Sequence, residues 1–197
     1  MLYHRKFDTY EDYVALQGSK VNRPGNKYRE TSPRNVKAYK MLFKRVSPYL
    51  VDGKILCLGA RAGWEVEGAI LAGFKGSVGI DLHPGTDLVM KADWHNMPFG
   101  NNSFENIFTN SIDHCLDFPK LVSEIHRVLI PNGIFFLTAT QYKEWKLKPI
   151  EQRMAKSYEG LFWDDTDDLI PEFMSGGFIL ATSQREKTRS NYFMRKL

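Results

Sequence analysis

The chain has little cysteine, no long apolar run and no repetition, and each shortage excludes something. Two cysteines among 197 residues, Cys57 in a strand-like run and Cys115 beside an apolar segment, are too few for a four-ligand zinc site of their own. They read as small buried hydrophobes, and a reducing compartment argues against a disulfide between them. No apolar segment approaches the ~18 residues that span a bilayer, and the opening "MLYHRKFDTY" lacks the apolar stretch of a secretory signal. The expectation is a soluble, cytoplasmic chain with no membrane partner. Low-complexity tracts and internal repeats are also missing. With 43% hydrophobic and 25% charged residues, the composition fits one globular domain with decorations.

Charge is present but unevenly placed. The formal net charge is +4, yet residues 1–50 hold 11 Lys/Arg against 4 Asp/Glu, and the remainder holds 16 against 19. The basic character therefore belongs to the N-terminal segment. It reads first as a solvated helix face and second as a surface for nucleic acid or another anion.

From Ser32, "SPRNVKAYKMLFKRV" reads as a helix: Ser32 caps, Pro33 suits the first position, and Val36, Tyr39, Leu42, Phe43 and Val46 share one face. Arg34, Lys37, Lys40 and Lys44 are expected opposite. Beyond the "VDG" turn the pattern alternates, with strands at 54–58, 76–81, 87–92, 104–110 and 133–139 and helices at 64–73 and 118–129. Such alternation implies a parallel sheet with helices on both faces, and ligands in these sheets sit beyond the carboxyl ends of the strands. A short helix near 166–175 ends at Gly176-Gly177, after which "FILATSQ" and "NYFMRKL" read as an antiparallel hairpin. The fold class is thus α/β: a doubly wound, Rossmann-like, seven-stranded, mostly parallel sheet with a C-terminal antiparallel hairpin. The expected division is an N-terminal helical cap over 1–50 and a main domain over 51–197, with a lid insertion at 141–163.

The stretch "ILCLGARAGWEVEGA" carries the first functional signal. An apolar strand ending at Leu58 turns through Gly59 and Gly63 into a helix, a junction that suits close backbone approach of a ligand and an anionic group at the helix start. Asp81 ends the second strand 22 positions after Gly59, near the ~20-residue spacing at which an acid meets ribose hydroxyls. A third block follows: "ADWHNMPFGNNSFENIFTN".

Together these motifs resemble the class I S-adenosylmethionine-dependent methyltransferases, in particular their type 11 methyltransferase domain. "LGARAG" is similar to the family's glycine loop, "GIDLHP" to its acidic strand end, and the Asp-to-"PF" block to its third motif. "LVSEIHRVLIPNGIFFL" is similar to the later helix and strand with their intervening Pro-x-Gly. The resemblance implies S-adenosyl-L-methionine as cofactor and no metal. It implies that Gly59, Ala60, Arg61 and Gly63 line the methionine end and that Asp81 accepts from the ribose, with Leu82 on the adenine. Asp93 is implied as acceptor of the adenine amino group, the Trp94 backbone at the ring edge, and Asn110 and Ser111 beside the methyl-sulfonium and the substrate entrance.

Two positions depart from the family. Cys57 stands where an acid usually precedes the first glycine, and Arg61 replaces the middle glycine. Arg61 is expected either to pair with the cofactor carboxylate, with Glu65 receiving the ammonium, or to make a salt bridge to Glu65 or Glu67. Transfer from a sulfonium is an in-line displacement governed by positioning, and a base is needed only for a hydroxyl or protonated amine acceptor. Asp113 and His114 are the candidate catalytic pair, with strand-end polar capping as the alternative; His95 also falls near the expected cofactor, and His83 reads as a turn residue. "TNSIDH" is not the Asn/Asp-Pro-Pro-aromatic block of enzymes that methylate nucleic-acid bases. Tyr142, Trp145, Tyr158, Phe162 and Trp163 either form a substrate lid or fill a small core of their own. The function read from the chain is methyl transfer to an oxygen or nitrogen of a small molecule. The alternatives are a methyltransferase of RNA or another polyanion using the basic cap, and an S-adenosylmethionine-binding protein without catalysis.

Overall fold

The computed structural model describes residues 1–21, 32–141, 148–155 and 158–197. Its centre is a seven-stranded sheet built from β2 (Ile55–Leu58), β3 (Val78–Asp81), β4 (Val89–Lys91), β5 (Phe104–Thr109), β6 (Leu129–Thr140), β8 (Phe178–Arg185) and β9 (Arg189–Lys196). The order across the sheet is β4-β3-β2-β5-β6-β9-β8. The first five strands in that order run parallel, and β9 joins β6 antiparallel with β8 outside it. The chain order reverses between β2 and β5, so a crevice opens at their carboxyl ends.

Alternate residues of each strand serve opposite faces. Ile55 and Cys57 pack with α2 (Pro33–Val46) and α3 (Trp64–Ala72), whereas Leu56 and Leu58 pack with α4 (Phe118–Val128) and α6 (Ile170–Ser175). On the first face Phe43 and Val46 cover Phe108, Phe136 and Phe193, the last two stacked 4.7 Å apart. Local chemistry starts these helices. Ser32 accepts from the Asn35 amide with Pro33 at the first position of α2, and Asp117 accepts from the Lys120 amide with Pro119 in the first turn of α4.

An N-terminal arrangement that no periodicity announces lies above the crevice. β1 (Leu2–His4) pairs antiparallel with β7 (Leu161–Trp163), Leu2 facing Trp163, and α1 (Tyr10–Val21) follows. Backbone bonds add to the pairing: the Arg5 amide donates to Gly160, and the Gly160 amide donates to Asp113 at 2.8 Å. In the 141–163 segment, α5 (Ile150–Ala155) precedes β7, and Phe162 and Trp163 are fully buried. Tyr142 and Trp145 lie outside the described residues. Both cysteines are free and buried.

Candidate functional site

A cavity of about 1180 Å³ occupies the carboxyl edge, walled by the ends of β2, β3, β5 and β6 and roofed by α1 and α2. Its floor starts with the turn after β2. Gly59 and Gly63 take φ of +70° and +71°, a left-handed conformation that costs glycine nothing. A Cβ at Gly59 would lie 3.0 Å from Ser111 and 3.3 Å from the Trp94 ring, so the missing side chain leaves the turn pressed against both. The Gly59 and Ala60 amides donate to the Ile80 carbonyl at 2.9 and 3.2 Å, tying the turn to β3. Gly63 caps α3 and does not line the cavity.

Asp81 is the hinge of this wall. Its carboxylate accepts from the Arg61 amide at 3.1 Å and the His83 amide at 2.7 Å, one bond per oxygen, and each oxygen keeps further acceptor capacity toward the cavity. The Arg61 guanidinium lies beside it, Nε 3.8 Å from Oδ1. The ion pair of Arg61 is therefore with Asp81 and with neither Glu65 nor Glu67, because the turn directs the side chain back across β3. Leu82 and Trp94 line the same wall.

Asp93 sits differently from its neighbours. Its Oδ1 accepts from the His95 amide at 2.9 Å and the His95 ring at 2.8 Å, its Oδ2 accepts from the Tyr10 hydroxyl at 2.8 Å, and it does not line the cavity. Burial alone would raise this carboxyl, but the bonds from His95 and Tyr10 outweigh it and hold it below the usual carboxylate range. His95 Nε2 accepts from the Asp117 amide at 3.2 Å and lies 3.5 Å from the Cys115 thiol, so Nδ1 carries the proton that goes to Asp93. The ring is buried and clamps two loops together; it faces no ligand space. His83 is a turn residue whose ring faces the Val14 carbonyl of α1.

A second polar group of the cavity centres on Glu65, in the first turn of α3. Glu65 is buried, and the loss of water pushes its carboxyl up to about 7, against a hydrogen bond from Tyr39 that pulls it down. Tyr39 comes from α2, and its hydroxyl accepts from the Asn110 side chain at 2.7 Å. Ser111 donates to Asn110 at 3.1 Å. Cys57 does not line the cavity, and its thiol is pushed up by burial with the Glu65 charge adding. Glu65 thus places a carboxyl group in the lining, within electrostatic reach of Cys57. Asp113 and His114 belong to the short 3-10 turn Ile112–His114, line the cavity beside Asn110, and are held from above by Tyr13, which donates to the His114 carbonyl.

The structure therefore brings Gly59, Ala60, Arg61, Asp81, Leu82, Trp94, Asn110, Ser111, Asp113 and His114 to one cavity and leaves Gly63 and Asp93 outside it. Lining residues that the sequence did not single out for a site include Tyr13, Gln17, Arg34, Tyr39 and Arg189. Tyr39 was legible only as one member of an apolar helix face. A nucleoside cofactor fits this wall on two counts: among the described residues Arg61 Nε and Trp94 Nε1 are buried donors without a hydrogen-bond partner, and the glycine turn leaves a cradle that a side chain would fill.

Residues 56–137 match the family model of the methyltransferase domain. An uncharacterized chloroplastic methyltransferase of Arabidopsis thaliana is 26% identical over 110 residues, a match covering 49% of this chain and 31% of that protein. The chain therefore spans about a third of the length of that curated relative. Among solved structures, a Burkholderia thailandensis 1,6-didemethyltoxoflavin-N1-methyltransferase, with its acceptor and S-adenosylhomocysteine bound, has a TM-score of 0.71 at 14% identity, covering 98% of this chain and 93% of that one. Phosphoethanolamine N-methyltransferase 2 of Haemonchus contortus, holding phosphomonomethylethanolamine and S-adenosylhomocysteine, has 0.69 at 14%, covering 98% and 61%. At such identities these likenesses concern the fold. The likeness to a methyltransferase domain, a family that uses S-adenosyl-L-methionine, thus rests on residues 56–137, while the fold is shared along nearly the whole chain. Among the described residues no helix is long and apolar enough to cross a membrane.

Proposed function

We propose that this chain transfers a methyl group from S-adenosylmethionine to an oxygen or nitrogen of a small molecule bound in the same cavity. The supporting observation is the cavity itself: about 1180 Å³ in one space from Asp81 to His114, above the ~300–1,000 Å³ of an ordinary single-ligand pocket. When bound, the cofactor supplies a methyl on a sulfonium, a group already activated for displacement. What the protein's residues contribute is placement.

In this reading Asp81 accepts the ribose hydroxyls, Leu82 and Trp94 enclose the base, and the Gly59–Arg61 turn passes beneath the methionine portion. Glu65, ionised, receives the ammonium in place of the acid that Cys57 lacks. Asp93 reaches the adenine only once Tyr10 gives up its oxygen. Asn110 and Ser111 flank the methyl, and His114 with Asp113 stands where a proton leaving the acceptor is taken up. A cytoplasmic site of action is part of the proposal, tested by localising the tagged chain.

A second reading has its own observation. Lys37, Lys40 and Lys44 on the outer face of α2 line a separate groove beside Glu67, a surface suited to RNA or another polyanion. One experiment weighs both. The chain is incubated with methyl-labelled S-adenosylmethionine and with small-molecule and RNA fractions of a cell extract, and the labelled product is identified by mass. Label in the small-molecule fraction is expected; label confined to RNA overturns the first reading. S-adenosylhomocysteine binding in a calorimeter with no label in any fraction favours a binding protein without catalysis.

A further inference from the structure

We infer that the acceptor half of the cavity holds an anionic group, a carboxylate or phosphate of the small molecule, between the guanidiniums of Arg34 and Arg189. This rests on the methyl-transfer reading of the same cavity, and the experiment below separates the two.

Four arginines line the cavity: Arg34, Arg45, Arg61 and Arg189. Two are matched. Arg61 pairs with Asp81 at 3.8 Å, and Arg45 pairs with Glu186 at 3.4 Å. Arg34 and Arg189 have no ion-pair partner among the described residues. Their position is set by the fold. Arg34, Ala38, Leu42 and Arg45 lie three or four residues apart on α2 and all face the cavity, so the helix turns a cationic stripe inward while Lys37 and Lys44 face out.

Arg189 approaches from another element. It opens β9 opposite Thr140 of β6, and Thr138 and Thr140 line the cavity beside it. Its charge acts on the Tyr39 phenol, the group that holds Asn110 at 2.7 Å, so the guanidinium lies within electrostatic reach of the end of β5. Of the acids lining the cavity, Asp81 and Glu65 belong to the β2–β3 side, Asp113 to the turn after β5 and Glu159 to the segment before β7. The α2 and β9 walls contribute no carboxylate to the lining. An isolated exposed arginine is ordinarily solvated and signifies little. Arg34 and Arg189 are both exposed, but they line one concave space in which their fields add, and the planar guanidinium fork matches carboxylate or phosphate with paired hydrogen bonds.

The test uses the full chain. S-adenosylhomocysteine is first titrated in a calorimeter, and the saturated complex is then titrated with inorganic phosphate and, separately, succinate. The parent should saturate with one or both, and which of the two binds identifies the anion. Arg34→Gln and Arg189→Gln should each weaken that binding about tenfold while S-adenosylhomocysteine affinity stays within about twofold. Lys37→Gln with Lys44→Gln removes equal charge from the outer face and should leave anion binding intact. No saturation by either anion, or equal weakening by the lysine and arginine variants, overturns the site. Anion binding that needs both arginines in a chain that does not bind S-adenosylhomocysteine supports this site and overturns the methyl-transfer reading instead.

Discussion

The floor and the roof of the cavity are held by different kinds of bond. The floor closes on itself over short loops: Gly59 and Ala60 donate to Ile80, and Arg61 and His83 donate to Asp81. The roof is held by contacts between distant parts of the chain: Leu2 pairs with Trp163, Tyr10 reaches Asp93, Tyr13 reaches His114, and Gln17 reaches the Tyr158 carbonyl. A floor bonded in this way keeps its shape with or without a ligand, which lowers the cost of ordering it on binding. The roof also reaches the core, through Leu161 and Trp163 with Leu2 packed against it, but its pairing and hydrogen bonds join segments far apart in the chain. In the proposed reading the nucleoside rests on the floor and the roof closes over it.

Breaking the floor should have the largest effect. Asp81→Ala removes the acceptor for two backbone amides and, in the proposed reading, for the ribose. S-adenosylhomocysteine affinity should fall about a hundredfold or more in a calorimeter, since bonds to a charged acceptor contribute about 1.5–3 kcal/mol each. A loss under tenfold would separate Asp81 from the ligand.

Glu65 sharpens the comparison through pH. Its folded-state pKa of about 7 lies above the ordinary 4.5, so the folded protein holds an extra proton between those values. Its contribution to stability is full below pH 4.5, declines as pH rises, and is lost above 7. The difference amounts to about 3 kcal/mol, which Glu65→Gln should abolish in denaturant titrations at several pH values. Binding has the opposite slope: if the ionised carboxylate receives the ammonium, S-adenosylhomocysteine affinity should rise about tenfold from pH 6 to 8 in the parent and stay flat in Glu65→Gln. The groups facing Glu65 are Tyr39 from α2, Asp81 from β3 and Cys57 from β2.

Gly160 joins roof to floor. A Cβ there would lie 2.3 Å from the Cys115 carbonyl oxygen, so Gly160→Ala must push the strand off the 112–115 turn. A loss of about 1–3 kcal/mol in thermal unfolding is expected, with faster amide exchange in β1 and β7 and no change in β2 or β5. Uniform exchange across the sheet would show that roof and floor open as one unit. Smallest of all, Tyr10→Phe removes one exposed hydroxyl from Asp93 and should change stability by less than about 1 kcal/mol.

Much of the sheet was legible because its signals are local. Ser32-Pro33 starts a helix by itself, the stretches at 54–58 and 104–110 read as strands, and Gly59 marks a turn that needs positive φ. The largest boundary change is in β6, which begins at Leu129, where the helix was expected to end, and not at Gly133, because the Pro131-Asn132-Gly133 stretch is absorbed into the strand as an irregular bend. Asp81, Asn110 and His114 could be placed near a ligand because strand ends of such sheets converge on one edge.

Sequence alone determined the alternation of elements, the glycine turn and the acid that ends β3, since each depends on neighbours within about 20 residues. Tertiary structure decided the rest. Two three-residue strands that pair across most of the chain have no periodicity to reveal them. Arg34 was read with the outward lysines until the packing of α2 turned it toward the cavity, and Tyr10 took an oxygen of Asp93 only because α1 lies over it. The reason is physical: local backbone preference sets which element forms, but the direction of each side chain follows from the surfaces that the finished elements bury against one another.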